Sequence, residues 1–215
     1  MFISSVFLAQ LFIYPGIQTL ECFTCCTDNA KSEYSILLVN IQKATNSEAE
    51  SPLARAERLD KLYTRLANKD ISERAAQELV SVIERVWLDS GSHTVDFLME
   101  RALAATRSQN YDISIQILNR VVELAPDYAE GWNQLAVAYY LSENFDQTLP
   151  PLLRALSLDR RHFKAIEGYG VLMREMGNKR AALSAFRRVL VINPRSSSAR
   201  EAEAELSREI DGQGI

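Results

Sequence analysis

Three thiols and two imidazoles are the first places to look for chemistry in this 215-residue chain. Cys22, Cys25 and Cys26 stand together near the N-terminus, the first two in a C-x-x-C spacing. A zinc centre built on that spacing needs four ligands, normally from a second C-x-x-C or a pair of histidines. His93 and His162 lie far along the chain, in stretches that read as helices. Glu21 precedes Cys22, where attachment of a lipid would want a small residue. Three thiols kept together would leave one unpaired. Glu201, Glu203 and Glu205 form an acidic run, but in a polar stretch where a solvated helix face is the ordinary reading. No glycine-rich phosphate loop, H-E-x-x-H or G-x-S-x-G occurs. The expectation is a chain that is not an enzyme and carries no metal and no cofactor.

The elements that carry these residues can be read from composition and spacing. A hydrophobic fraction of 47% is enough for a core, and eight Gly and six Pro in the whole chain leave long uninterrupted stretches that favour helices. The net charge of -4 argues against nucleic acid as the main partner, because phosphate binding needs a cationic surface. Charge is uneven. Between Pro150 and Arg200 eleven Lys or Arg stand against Asp159, Glu167 and Glu175, which leaves that stretch at +8 and the remainder at -12. This is either a pair of solvated faces of opposite sign or a basic end that docks an acidic partner.

Residues 1–27 are a separate object. No charged side chain occurs from Phe2 to Leu20, and Val6 to Tyr14 is almost wholly apolar. The run has the length of a secretory h-region and is interrupted by Pro15 and Gly16, short of a comfortable membrane span. It lacks the Lys or Arg that usually opens a signal peptide. Export to the periplasm is the expectation; an uncleaved membrane anchor, or a cytoplasmic chain with an extended start, is the alternative. Residues 28–51 read as a polar linker with one short apolar run, Ile36 to Ile41.

Beyond the linker the chain repeats itself. At a spacing of 34 residues, units starting at Val95, Ala129 and Phe163 align without a gap. Ala102, Ala136 and Gly170 form one small column, and Ser114, Thr148 and Ala182 another. Leu118, Leu152 and Phe186 form a large one, and Val121, Ala155 and Val189 follow it. Small residues let two antiparallel helices approach, and large ones beside them fill the gap. Gln109-Asn110, Glu143-Asn144 and Gly177-Asn178 fall at matching turns, and Gly177 can take the left-handed conformation that ends a helix. Asp127 stands where an N-cap belongs, with Glu130 three residues later as in a capping box.

These residues resemble the tetratricopeptide repeat (TPR), in a small bacterial-type protein of that family. The middle unit carries the resemblance through Trp132, Leu135, Ala136, Tyr139, Leu152 and Ala155. The third carries it through Tyr169, Gly170, Ala182, Phe186 and Pro194. The first is weaker, with Arg101 and Ala105 where larger apolar residues are usual. The resemblance implies an all-α, right-handed α-solenoid with repeats over 95–128, 129–162 and 163–196. Residues 52–94 read as a degenerate TPR-like helix pair, with Trp87 packing at its junction or, alternatively, serving as a binding anchor, and 197–215 as a C-terminal capping helix and tail.

In this family the first helix of each unit lines a concave groove that holds a peptide segment of a partner. Carried over, that implies a partner-binding groove of Met99, Leu103, Arg107, Asn133, Val137, Tyr140, Lys164, Val171 and Arg174. Leu103, Val137 and Val171 would be its apolar floor. One subgroup clamps a C-terminal carboxylate. The matching places here hold Met99, Leu103, Gln134, Lys164 and Gly168, of which only Lys164 fits. The implied function is a protein–protein interaction adaptor for a protein or peptide, acidic if the +8 stretch is its dock; the alternative is a membrane-tethered structural component of an envelope assembly. The sequence sets no oligomeric state.

Overall fold

The computed structural model describes residues 51–212, and every regular element among them is a helix. In chain order these are α1 (Pro52–Leu66), α2 (Glu73–Leu88), α3 (His93–Arg107), α4 (Tyr111–Leu124), α5 (Ala129–Leu141), α6 (Phe145–Leu158), α7 (Phe163–Glu175), α8 (Lys179–Ile192) and α9 (Ser197–Gly212). The apolar segment, the linker up to Glu50 and the three cysteines lie outside the described residues, and with them the reading of an export signal. None of the described helices is long and apolar enough to cross a membrane.

Three helix pairs, α3/α4, α5/α6 and α7/α8, follow the 34-residue period as an all-α repeat solenoid. Both small columns are buried. Within each pair size is exchanged between columns: Leu118 and Leu152 serve repeats with alanine at the crossing, while Phe186 serves the one with Gly170. A Cβ on Gly170 would lie 3.1 Å from the Phe186 ring and 3.3 Å from the Ala185 Cβ, so the Phe186 ring would have to give way to any side chain there.

The first helix of each pair ends in the same way. Asn110, Asn144 and Asn178 donate their backbone N–H to the carbonyls of Ala105, Tyr139 and Met173, at 2.8–2.9 Å. The residues before them are left-handed: Gln109 at φ 60°, Glu143 at 61° and Gly177 at 76°. This is the Schellman stop, which satisfies the last carbonyls of the helix. The middle pair is unusual in its second helix, where Pro150 and Pro151 fall inside α6 and remove the N–H groups that would reach back one turn.

The capping box at α5 does not form. Tyr128 occupies the N-cap position without a side-chain bond. Asp127 pairs outward with Arg154 at 3.2 Å, and Glu130 turns inward. A buried imidazole is a stronger attraction for that carboxylate than its own helix end.

The upstream pair α1/α2 forms at the expected residues but does not stack ahead of the first repeat. α1 runs past the turns between repeats. Asp60 pairs with Arg161 at 2.8 Å, and the Tyr63 hydroxyl donates to Asp159 at 2.6 Å. Arg195 donates to the carbonyls of Ile71 and Lys69, just past α1, at 2.9 Å each. α2 then returns toward the first helices of repeats two and three. Its buried Leu79, Ile83, Val86 and Trp87 belong to the same apolar cluster as Phe163, Ile166 and Leu172, whereas Val95, Met99 and Leu118 of the first repeat sit in another.

Consequently no described helix stacks on the leading face of repeat one. Gly131 and Ala165 are buried in their column, yet Phe97, which matches them, is 57% exposed. Ala138 and Leu172 are fully buried, yet the matching Ala104 is exposed. Arg101 lies over the Phe97 ring at 5.7 Å. Its departure from the repeat pattern is that of an end unit, which must be wettable. At the other end α9 buries Ala199, Ala202 and Leu206 as a cap.

The charge asymmetry is largely met within the chain. Six of the eleven cations between Pro150 and Arg200 form ion pairs with acids elsewhere: Arg154, Arg161, Lys164, Arg174, Lys179 and Arg187 meet Asp127, Asp60, Glu84, Glu205, Glu209 and Glu203. Two of the acids come from the α1/α2 pair and three from α9.

Candidate partner-binding groove

The first helices α3, α5 and α7 present one face on which two neighbouring cavities open. The first, of about 250 Å³, is lined by Asn133, Ala136, Val137, Tyr140 and Leu141 of α5, Thr148 and Leu152 of α6, and Glu167, Gly168 and Val171 of α7. Gly168 is what opens it: the same column holds Glu100 and Gln134 in the other repeats, and a side chain there would reach into the space. Tyr140 is fixed at its rim by an edge-on contact with Phe145, centroids 5.5 Å apart. The second cavity, of about 380 Å³, lies between α2 and the first helices, lined by Glu84, Trp87, Leu88, Leu103, Glu130, Asn133, Gln134, Val137 and Lys164. Asn133 and Val137 are common to both, so the two form one groove.

The groove therefore brings together Leu103, Asn133, Val137, Tyr140, Lys164 and Val171 of the nine residues expected there. Three are placed otherwise. Met99 is 2% exposed and packs with Val95, Ala102 and Leu118 in the repeat core; an apolar residue one turn from the open face has more area to bury inside than outside. Arg107, the last residue of α3, is exposed and lines neither cavity. Arg174 is exposed and turns to Glu205 of the cap at 3.5 Å. Lys164 is half-exposed and already faces Glu84 of α2 at 3.6 Å.

A buried polar network underlies the groove. His162 is fully buried at the start of α7, where its Nδ1 accepts the Ala165 N–H at 3.2 Å. That leaves the proton on Nε2, which donates to Glu130 Oε2 at 2.8 Å. Glu130 also accepts from Asn133 at 3.2 Å and Gln134 at 2.5 Å. Trp87 covers the imidazole, its own Nε1–H donating to the Tyr63 hydroxyl at 3.0 Å. Burial first, and then the charge of Asp159, hold the Tyr63 phenol well above its ordinary pKa. Asn133 thus spends its amide inside the protein rather than on a partner. No group of three or more His, Cys, Asp or Glu able to hold a metal occurs among the described residues.

The sequence reading singled out Trp87 but missed Glu84 and Leu88, which α2 also contributes. The only local signal was Trp87 itself, a large aromatic in an otherwise ordinary amphipathic helix.

Known proteins share this architecture. No protein-family profile matches the chain. A TPR repeat-containing protein of Rhizobium etli is 30% identical over 156 residues, which cover 73% of this chain and 76% of that protein. Among solved structures, the first TPR of Spaghetti (RPAP3), bound to the HSP90 peptide SRMEEVD, superposes with a TM-score of 0.53 at 20% identity, covering 54% of this chain and 93% of that one. The Arabidopsis OM64 TPR domain gives 0.51 at 22% identity, covering 53% and 93%. Together with the ungapped 34-residue columns and three matching helix pairs, the likeness to the Rhizobium protein makes this chain a member of the tetratricopeptide repeat family.

Proposed function

We propose that the chain is an adaptor that holds a segment of another protein in the groove of its first helices and catalyses no reaction. The observation that carries this is the convergence of Val137, Tyr140, Leu141, Leu152 and Val171 around one cavity of about 250 Å³ on that face. An apolar cavity of roughly 150 Å³ already takes up a benzene ring. The groove can therefore receive one bulky apolar side chain of a bound segment, with Glu167 at its margin. The peptide held by the Spaghetti neighbour supports peptide binding by this fold. A carboxylate clamp is a poor fit here, since Lys164 is its one matching residue and already faces Glu84. The recognition we propose is led by an apolar anchor.

Tyr140→Ala with Val171→Lys removes one wall of the cavity and charges another. Tagged parent and double variant, matched for melting temperature, are compared for the proteins they capture. Loss of a captured partner is expected. Equal capture by both would move the binding surface elsewhere, the convex side first. The uncharged run Phe2 to Leu20 supports placing this adaptor outside the cytoplasm. N-terminal sequencing of the mature chain tests that: retention of Phe2 to Tyr14 would favour the tethered assembly component.

A further inference from the structure

The groove is partly occupied by the chain's own α2, and the manner of that occupation describes a ligand. α2 is covalently upstream of repeat one but does not stack on the leading face of that repeat, where Phe97 is 57% exposed. It sits instead against the starts of α5 and α7. Beside the buried Leu79, Ile83 and Val86, two side chains one turn apart mark the groove edge of the seat. Glu84 faces Lys164 at 3.6 Å, and Trp87 stacks on the His162 imidazole, centroids 3.8 Å apart, and meets the Phe163 ring at 4.8 Å. The fit is incomplete, because the cavity of about 380 Å³ remains between Glu84, Trp87 and Leu88 and the groove residues Leu103, Asn133 and Val137. The connector behind it is Asp89–Ser92, where Gly91 takes φ +80° and Ser90 bonds Asp96 of α3 through its N–H at 2.9 Å and its hydroxyl at 2.6 Å, so release of α2 turns on the residues before this anchored turn.

We infer that this groove is a helix-binding site whose occupant in the free chain is α2, and that the partner is an amphipathic helix carrying a carboxylate and, three residues later, a large aromatic side chain, which binds by replacing α2. This rests on the reading of the first-helix face as the binding surface. Helix-in-groove recognition uses such anchors one turn apart. The argument for the acidic position is charge complementarity at Lys164, and for the aromatic position the flat His162 surface and the Phe163 edge. With a tethered occupant, the affinity for an external one is scaled down to the fraction of time the seat is free. Loosening α2 from its own side, without changing any residue of the first helices α3, α5 and α7, must therefore tighten the partner.

The probe is a fluorescent synthetic peptide of residues 73–92, titrated into the full chain and followed by anisotropy. Glu84→Lys in the chain turns the rim attraction into repulsion and is expected to tighten peptide binding about three- to tenfold. Adding Lys164→Glu to that chain restores the internal pair and is expected to return binding of the wild-type peptide to parental strength or below. Lys164→Glu alone is expected to prefer the peptide that itself carries Glu84→Lys. Both positions are on the rim, so the variants keep the fold. Equal peptide affinity for the parent and Glu84→Lys chains, no binding to either, or a gain that Lys164→Glu does not reverse would overturn the inference. A parental dimer that dissociates in Glu84→Lys would assign the seat to a second copy's α2 and overturn it as well. Failure here leaves capture at Tyr140 and Val171 to its own experiment, which changes different residues.

Discussion

Trp87 lies flat on His162, with ring centroids 3.8 Å apart and planes 10° from parallel. The indole is 6% exposed and the imidazole fully buried. Beside this contact the Glu84–Lys164 pair is minor, with both side chains more than 40% exposed; such pairs contribute about 1 kcal/mol or less. Truncating Trp87 to Ala instead leaves a cavity over a buried polar pair and removes the N–H that the Tyr63 hydroxyl accepts, leaving that hydroxyl its bond to Asp159. The expected cost is about 3–5 kcal/mol, mostly in docking of α1/α2. Hydrogen exchange should show lost protection across α1 and α2 with α5 to α8 still protected. Protection that falls evenly along the chain, or not at all, would mean that the stack is not what holds the pair.

Tyr128 gives a cleaner single-group test. Its hydroxyl is buried and has no hydrogen-bond partner among the described residues. Burial first, and then the charge of Glu130, hold its pKa above the ordinary value near 10. A raised folded-state pKa means that the stabilisation is complete below pH 10 and is lost as pH rises, because the unfolded chain sheds the proton first. By pH 11 the loss is about 1.4 kcal/mol for each such tyrosine. Tyr128→Phe is expected to be as stable as the parent at pH 7 or up to about 1 kcal/mol more so, since an unserved polar group is removed. At pH 11 its advantage should widen by about 1.4 kcal/mol. Urea midpoints at the two pH values check both halves, and parallel curves would show that Tyr128 ionises freely in the fold.

What the sequence disclosed and what it hid divide along a physical line. Column residues such as Ala102, Ala136 and Gly170 are set by contacts inside one repeat, so spacing reveals them. Leu103, Val137 and Val171 share a face for the same reason. The choice of partner for a side chain over long range is not periodic. Nothing local says that Glu130 will leave its helix end for His162, 32 residues on. Lys164 and Arg174 read as free cations of a groove, yet they are answered by Glu84 and Glu205 from the two flanks. The stretch from Pro150 to Arg200 read as a solvated face or as a dock for an acidic partner; six of its cations meet acids of the chain itself. Arg101 and Ala105 looked like erosion of the repeat, whereas the open face beside Phe97 makes Arg101 the mark of an end unit.

Gln109 and Glu143 are the only non-glycine residues with positive φ among the described ones. They hold the turn that Gly177 makes in the third repeat, and a side chain in the left-handed region costs roughly 1–2 kcal/mol. Part of that returns as unfolded-state entropy when glycine is introduced. Gln109→Gly and Glu143→Gly should each stabilise by about 0.5–1 kcal/mol, nearly additively, since the turns are one repeat apart. Thermal denaturation of the singles and the double decides it. A destabilised double would mean that the side chains contribute more at the turn than the backbone loses.

The leading face of repeat one can be tested by asking the same column two different questions. Phe97, Gly131 and Ala165 stand 34 residues apart at the same place on the first helix of each unit. At the second, a Cβ would meet the Val121 side chain of the preceding repeat at 3.0 Å; at the third, Ala165 is 0% exposed. The column is thus where one repeat receives the one before it. If nothing stacks ahead of repeat one, Phe97 is free to change. Phe97→Ala should then alter stability by no more than about 0.5 kcal/mol, as for an ordinary surface site. The reverse exchange, Ala165→Phe, must push a ring into a filled junction and should cost about 1–3 kcal/mol or more. Because each repeat leans on its neighbours, that damage should spread to α5 and α6 as well as α7. Denaturant melts of the two variants supply the comparison. A cost at Phe97 comparable with that at Ala165 would show that a part of the molecule does cover the first repeat, and that α2 is not the only segment with a claim on the solenoid.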